Sequence, residues 1–251
     1  MDTNGWSSLA KGDIPVTPLK EWLGRRTNLI IVISRYQVSE LIKDTGLLEG
    51  LVDVVAQLPV IFIDRKRNEL NGEPWYLVGV EEIEPMKNSG VDSKNALSDM
   101  LRDGSLNNVM SNQTVDDVEM WQRAIISLLA EVSVSRNGSW SDFPRFMATW
   151  IRIILENNGK AVNEEYLNDP KRYIGLRLSA GVMYSRYYIS QNDYSRLDIH
   201  DILQSCDMPY SYVAIAEASL MDDVRHTVTR LPRNGPDHIY TLDWLRSPYI
   251  Q

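Results

Sequence analysis

Three short runs of apolar, β-prone residues punctuate the chain: Leu29-Ile30-Ile31-Val32-Ile33, Val60-Ile61-Phe62-Ile63 and Tyr212-Val213-Ala214-Ile215-Ala216. Uninterrupted runs of this length suit strands covered on both faces, the usual state of a parallel sheet. A weaker run, Ile239-Tyr240-Thr241-Leu242, predicts a closing strand. Between the first two runs the period changes to three and four. Ser34 offers an N-cap, Val38, Leu41 and Ile42 form an apolar stripe, and a second helix is predicted over Leu47–Leu58. Strand, helix, helix, strand is the alternation of an α/β fold with crossovers. Before it, Trp6, Leu9 and Ala10 predict a first helix with Asp2 in capping position, and Leu19–Leu23 a short helix closed by Gly24.

From Asp64 to about Gln113 the chain turns polar, which predicts loops with short helices. Helical periodicity returns over Thr114–Val134, with Trp121, Ile125, Leu128, Leu129 and Val132 as the core face, and again over Phe143–Leu155. Asp169–Ile189 reads as one long helix carrying a tyrosine cluster, Tyr184, Tyr187 and Tyr188. The expectation is a single domain over residues 1–251, interrupted by a largely helical insertion over 64–170.

At 251 residues the chain can bury a substantial core, and its single cysteine, Cys206, excludes a disulfide scaffold or a cysteine-rich metal finger. No apolar run approaches a membrane span and no secretory pattern is visible, so a cytoplasmic protein without membrane attachment is expected. A formal charge of −8 requires any nucleic-acid contact to be local. The basic residues Lys171, Arg172, Arg177, Arg186 and Arg196 are the predicted strip for phosphate, with Tyr187 or Tyr188 for base stacking. The competing reading is a solvated helix face over core tyrosines. No Gly-x-Ser-x-Gly elbow or Gly-rich phosphate loop supports a hydrolase or phosphatase of those types.

The candidate chemistry lies in carboxylates. Asp198 and Asp201 share a face of a predicted helix, and neither is followed four residues later by Lys or Arg. Glu217 ends the third apolar run, where ligands sit in parallel sheets. Glu40 lies in the helix after the first run, and Asp2 opens the chain. Acids also favour helix starts for their own sake, and a glutamate ending a strand is commonly just solvated. Carboxylates gathered without basic partners repel one another, and a divalent cation is the usual reason to assemble them. His200 points away from the Asp198/Asp201 face on helical geometry, so it carries no predicted role.

The order of these pieces resembles the PIN-like domain nucleases. Asp2-Thr3-Asn4-Gly5-Trp6-Ser7-Ser8-Leu9-Ala10 is similar to the Asp-x-Asn-x-Trp-x-x-Leu-Ala opening of one branch, Ser34–Leu41 to its Ser…Glu-Leu helix, and Asp198–Glu217 to its Asp-x-x-Asp, Pro-Tyr, strand, acid close. The resemblance covers roughly residues 1 to 63 and 171 to 245. It implies a parallel sheet flanked by helices and a metal-dependent endoribonuclease. Asp2, Glu40, Asp198, Asp201 and Glu217 would be its catalytic and metal-binding acids, Mg²⁺ or Mn²⁺ its cofactor, and single-stranded RNA its substrate. DNA as substrate, a protein partner or inhibitor and a homo-oligomer stay open. Two departures stand out. The family's first strand precedes the first aspartate, so here that strand is missing or the start lies upstream, and the last acid is the longer Glu217. Both favour the alternative of a catalytically weak or inactive interaction module.

Overall fold

A computed structural model of the protein describes residues 1–26, 29, 31–63, 105–132, 139–231 and 235–247; the polar segment 64–104 of the expected insertion lies outside these. The fold is mixed α/β and mostly helical. In chain order it runs α1 (Thr3–Lys11), α2 (Val16–Gly24), β1 (Ile31–Ser34), α3 (Arg35–Leu41), α4 (Leu48–Gln57), β2 (Val60–Ile63), α5 (Ser105–Glu131) and α6 (Phe143–Asn157). There follow α7 (Glu164–Asn168), α8 (Ile174–Tyr184), a π-helical turn (Ser185–Ile189), α9 (Asp198–Ser205), β3 (Val213–Ala216), α10 (Ala218–Val228), β4 (His238–Thr241) and α11 (Leu242–Arg246).

The apolar runs form two parallel pairs. Ile31 stands opposite Val60 in β1/β2, and Val213 opposite His238 in β3/β4. Helices make both crossovers, as parallel pairing requires. One hydrophobic cluster joins the two pairs, with Ile33 and Val60 from the first, Ile215 from the second, and Trp6, Leu51 and Leu242 packed among them. The chain start is tied to β3 directly, since the Asp2 backbone N–H donates to the Ile215 carbonyl at 2.8 Å. α1 crosses α4 closely enough that a Cβ on Gly50 would overlap the Ala10 carbonyl.

Helices form the larger cluster, built on Trp121, Phe146, Trp150, Tyr184 and Ile202. Every residue of α8 is buried. It packs against α6, α9 and α10, and touches α10 at Gly181, where a Cβ would overlap the Thr227 side chain. Trp150 donates its indole N–H to Ser179 at 2.9 Å, which satisfies that buried donor.

Two sequence expectations change here. Residues 105–113 belong to the 27-residue α5 rather than to loops, because Leu106, Val109, Met110 and Val115 extend the apolar spacing through the polar stretch. The helix expected from Asp169 starts at Ile174, after Tyr173 in the left-handed region at φ 53°. The turn before it is held by Arg177, whose guanidinium reaches the Arg172, Leu167 and Asp169 carbonyls at 2.8, 2.6 and 2.7 Å. A buried arginine that collects carbonyls stabilises an open turn in place of helix. Among the described residues, no helix is long and apolar enough to cross a membrane.

Candidate functional site

The first turn of α1 is the point on which the acids converge. Asp2 caps it: one carboxylate oxygen accepts from Gly5 N–H at 2.7 Å, and the other from Glu217 N–H at 2.9 Å. The cap therefore also fixes the end of β3, and Asp2 is buried. Burial pushes its carboxyl above the usual aspartate range; the two backbone donors and the chain's own amino group pull the other way, and Glu217 adds to the rise. The next two residues each hold an acid. Thr3 donates its hydroxyl to Glu40 at 2.7 Å, and Asn4 donates its amide to the exposed Glu217 at 2.7 Å. Gln204 of α9 donates to the Thr3 hydroxyl at 2.8 Å, and Gln37 donates to the Met1 carbonyl. Carboxylates at a helix N-terminus gain from its dipole and unpaired N–H groups. Glu40 and Glu217, from distant stretches, are thus brought to adjacent residues of one turn.

His200 also belongs to this neighbourhood. Its Nδ1 lies 3.2 Å from the second oxygen of Glu40, close enough for an ion pair yet out of line for a hydrogen bond. His200 and Gln204 are one turn apart on α9, so both face α1. Helical rotation correctly separates His200 from the Asp198/Asp201 face, and turns it toward Glu40 instead.

Asp198 and Asp201 have a basic partner that local spacing does not reveal. Arg186 lies in the π-helical turn, a feature that often re-aims side chains. Its guanidinium donates to Asp198 and Asp201 at 3.0 Å each and to Asp223 of α10 at 2.9 Å. Burial opposes its charge, yet Asp201 and Asp223 hold it protonated more firmly than an ordinary arginine. Asp198 accepts further bonds from the Tyr187 hydroxyl at 3.1 Å and Ser195 N–H at 2.9 Å. Asp201 is the more open acid, its side chain 36% exposed. Burial raises its carboxyl; Arg186 opposes that, while Asp198 and Glu217 add to it, leaving the carboxyl above its ordinary value. Asp201 shares α9 with Gln204, which bonds Thr3, so the Arg186 network and the α1 turn meet on one helix.

The basic strip needs correction. Arg177 and Arg186 are 3% and 7% exposed, one satisfied by carbonyls and the other by carboxylates, so neither presents a cation to phosphate. Tyr187 and Tyr188 are buried; Tyr188 stacks on Tyr184 with centroids 5.1 Å apart. Lys171 and Arg196 are exposed, and Arg172 lies 4.5 Å over the Tyr166 ring. Two basic residues spaced like a solvated helix face are core because all of α8 and all but the last residue of the π-helical turn after it are buried.

Among the described residues, no three His, Cys, Asp or Glu side chains are arranged to hold a metal ion. A five-acid shell is therefore not assembled: Asp2 spends both oxygens on backbone donors, and Asp198 faces Arg186, Tyr187 and Ser195. Mg²⁺ keeps several waters and is commonly held by one or two carboxylates. Of the five acids Glu217 is the exposed one, and Asp201 is half-buried with one oxygen 3.0 Å from Arg186. Comparison of the chain with family models, curated proteins and solved structures finds no match. The sequence overlooks Thr3, Asn4, Gln204 and Asp223 as site residues, and it puts Arg186 in the strip for phosphate rather than against the acids. Thr3 and Asn4 carried a signal, since they follow a helix-capping aspartate whose first turn attracts acids.

Proposed function

We propose that the chain is a metal-dependent endoribonuclease of PIN-like type, cleaving phosphodiester bonds of single-stranded RNA beside the first turn of α1. The observation that carries the reading is the meeting of Glu40 and Glu217 on Thr3 and Asn4, with Asp201 on the same helix as Gln204, which bonds Thr3. Mg²⁺ or Mn²⁺ bound there would supply an activated water and neutralise charge on the phosphate. Asp201 and Glu217 would hold the ion. Asp2 serves as a positioning residue, through its bond to Glu217 N–H. Glu40, fixed by Thr3 and next to His200, would orient waters around the scissile phosphate.

The test is Glu217→Gln, which keeps an acceptor for Asn4 and removes the charge. Mn²⁺ binding by calorimetry and cleavage of single-stranded RNA should both fall, cleavage by at least about 100-fold, the scale on which loss of a directly acting electrostatic group registers. Cleavage at wild-type rate in Glu217→Gln would reject the site. A second reading, a catalytically inactive interaction module, draws support from Arg186, which already neutralises Asp198 and Asp201 from within the protein. Wild-type protein that neither binds Mn²⁺ nor cleaves RNA would favour it.

A further inference from the structure

A groove of about 300 Å³ runs between α5 and the segment leading into α9. Glu119, Gln122, Arg123 and Ile126 form one wall, and Tyr194 and Arg196 the other. Its character differs from the surrounding acidic surface. Two guanidiniums face one carboxylate, and Arg123 meets Glu119 at only 3.8 Å, with both side chains more than half exposed. Such a pair contributes little and yields readily to a better anion. Ile126 is 56% exposed and Leu197, next to Arg196, is 82% exposed. Ile126 lines the groove beside Arg123, and Leu197 follows the lining residue Arg196 in the chain. The Tyr194 hydroxyl is buried without a hydrogen-bond partner among the described residues. Tyr194 meets the Tyr187 ring edge-on at 5.8 Å, and Tyr187 donates to Asp198, so the groove joins the carboxylate network through two aromatic rings.

We propose that this groove, linked through Tyr187 to Asp198, holds one nucleoside phosphate of a single-stranded nucleic acid; this assignment of the substrate path rests on the cleavage site proposed above. The planar forks of Arg123 and Arg196 suit phosphate oxygens. Tyr194, Ile126 and Leu197 offer the flat apolar surface that a base covers, and Gln122 supplies both a donor and an acceptor to a base edge. The volume lies at the lower end of the roughly 300–1,000 Å³ of small-ligand sites. It admits one nucleotide and excludes a duplex. The chemistry is shared by a free nucleotide and by one nucleotide of a strand.

The experiment measures fluorescence anisotropy of a labelled oligouridine, with uridine monophosphate as competitor, in EDTA so that nothing is cleaved. Arg123→Ala combined with Arg196→Ala should weaken oligouridine binding at least about ten-fold. It should also flatten the slope of log K against log salt by about 0.7, the value for one phosphate neutralised on a single strand. Both arginines are exposed, and an unchanged melting temperature verifies folding. Competition by the monophosphate in wild type alone assigns a self-sufficient nucleotide site; oligouridine binding without such competition assigns a contact that needs the strand. Equal affinity and salt slope in wild type and double variant, or no binding of either ligand to wild type, overturns the proposal. Glu217→Gln run alongside separates the two readings: loss of cleavage there with groove binding intact tests the acids alone, and cleavage that ignores the double arginine change rejects the groove alone.

Discussion

Replacing Arg186 by methionine probes the tightest electrostatic knot in the molecule. Three carboxylates would lose a charge-assisted bond at 2.9–3.0 Å. They are not equal. Asp201, 36% exposed, is rescued by water and counts for little. Asp198 keeps the Tyr187 hydroxyl and Ser195 N–H. Asp223, 11% exposed, bears most of the damage. Removing one partner of a buried pair costs about 3–5 kcal/mol; with Asp198 partly satisfied, about 3 kcal/mol is expected, and at roughly 2–4 °C per kcal/mol for a chain this size the melting temperature should fall about 6–12 °C. The loss should depend on pH. Without the guanidinium, burial drives the Asp223 carboxyl further above its unfolded value, so the fold prefers it protonated. A raised carboxyl contributes fully at low pH and its contribution is lost as pH rises through the folded value. The deficit relative to wild type is therefore largest near pH 7–8 and narrows toward pH 4. Urea unfolding followed by circular dichroism across that range measures it. A deficit under about 1 kcal/mol, or one constant with pH, would refute the account. Asp223→Leu added to the methionine variant should recover part of the loss, since an apolar replacement of a buried pair is often neutral.

Other outcomes follow from the same geometry. Asp2→Ala removes a helix cap and leaves Glu217 N–H without its acceptor, so it should cost about 1–2 kcal/mol in chemical unfolding. Because the Asp2 carboxyl sits above its usual value in the fold, wild-type stability supplied by this residue declines as pH rises through that raised value, and the alanine variant should lack this component of the pH profile. Gly181→Ala should cost about 1–3 kcal/mol by overpacking α8 against Thr227, and Thr227→Ser in the same chain should recover some of it, as melting curves would register. His200→Ala should keep most RNA cleavage, because Thr3 still holds Glu40; a dead variant in the same assay would move the chemistry onto the histidine.

The strands were legible because an apolar run of four β-prone residues has few uses other than a covered strand; β2 and β3 fall within the predicted runs, β1 extends one residue past its run to Ser34, and β4 lies one residue before its own. The paired carboxylates of α9 were legible as a shared face for the same periodic reason. Their partner was not, because Arg186 lies 12 and 15 residues before them, outside any helical pairing rule, and reaches them only through the π-helical turn. Arg177 and Arg186 were misplaced for a related reason: a charged residue in an apolar helix reads as its wet edge, and burial becomes affordable only when carbonyls or carboxylates from other segments surround it. Glu40 could not be tied to Glu217 by pattern, since the link runs through the two residues that follow a capping aspartate.

The bond between Asp2 and Glu217 N–H joins residues 215 positions apart. On a ribosome adding roughly 5–20 residues per second, the Asp2 carboxylate waits about 10–40 s before its donor partner exists. During that interval α1 lacks the strand end against which it is seated, and Glu40 has neither Gln204 nor His200 nearby. The acidic turn is consequently a product of the finished chain rather than of any growing part of it. Truncated chains ending before residue 217 should carry every one of the early acids and none of their mutual geometry.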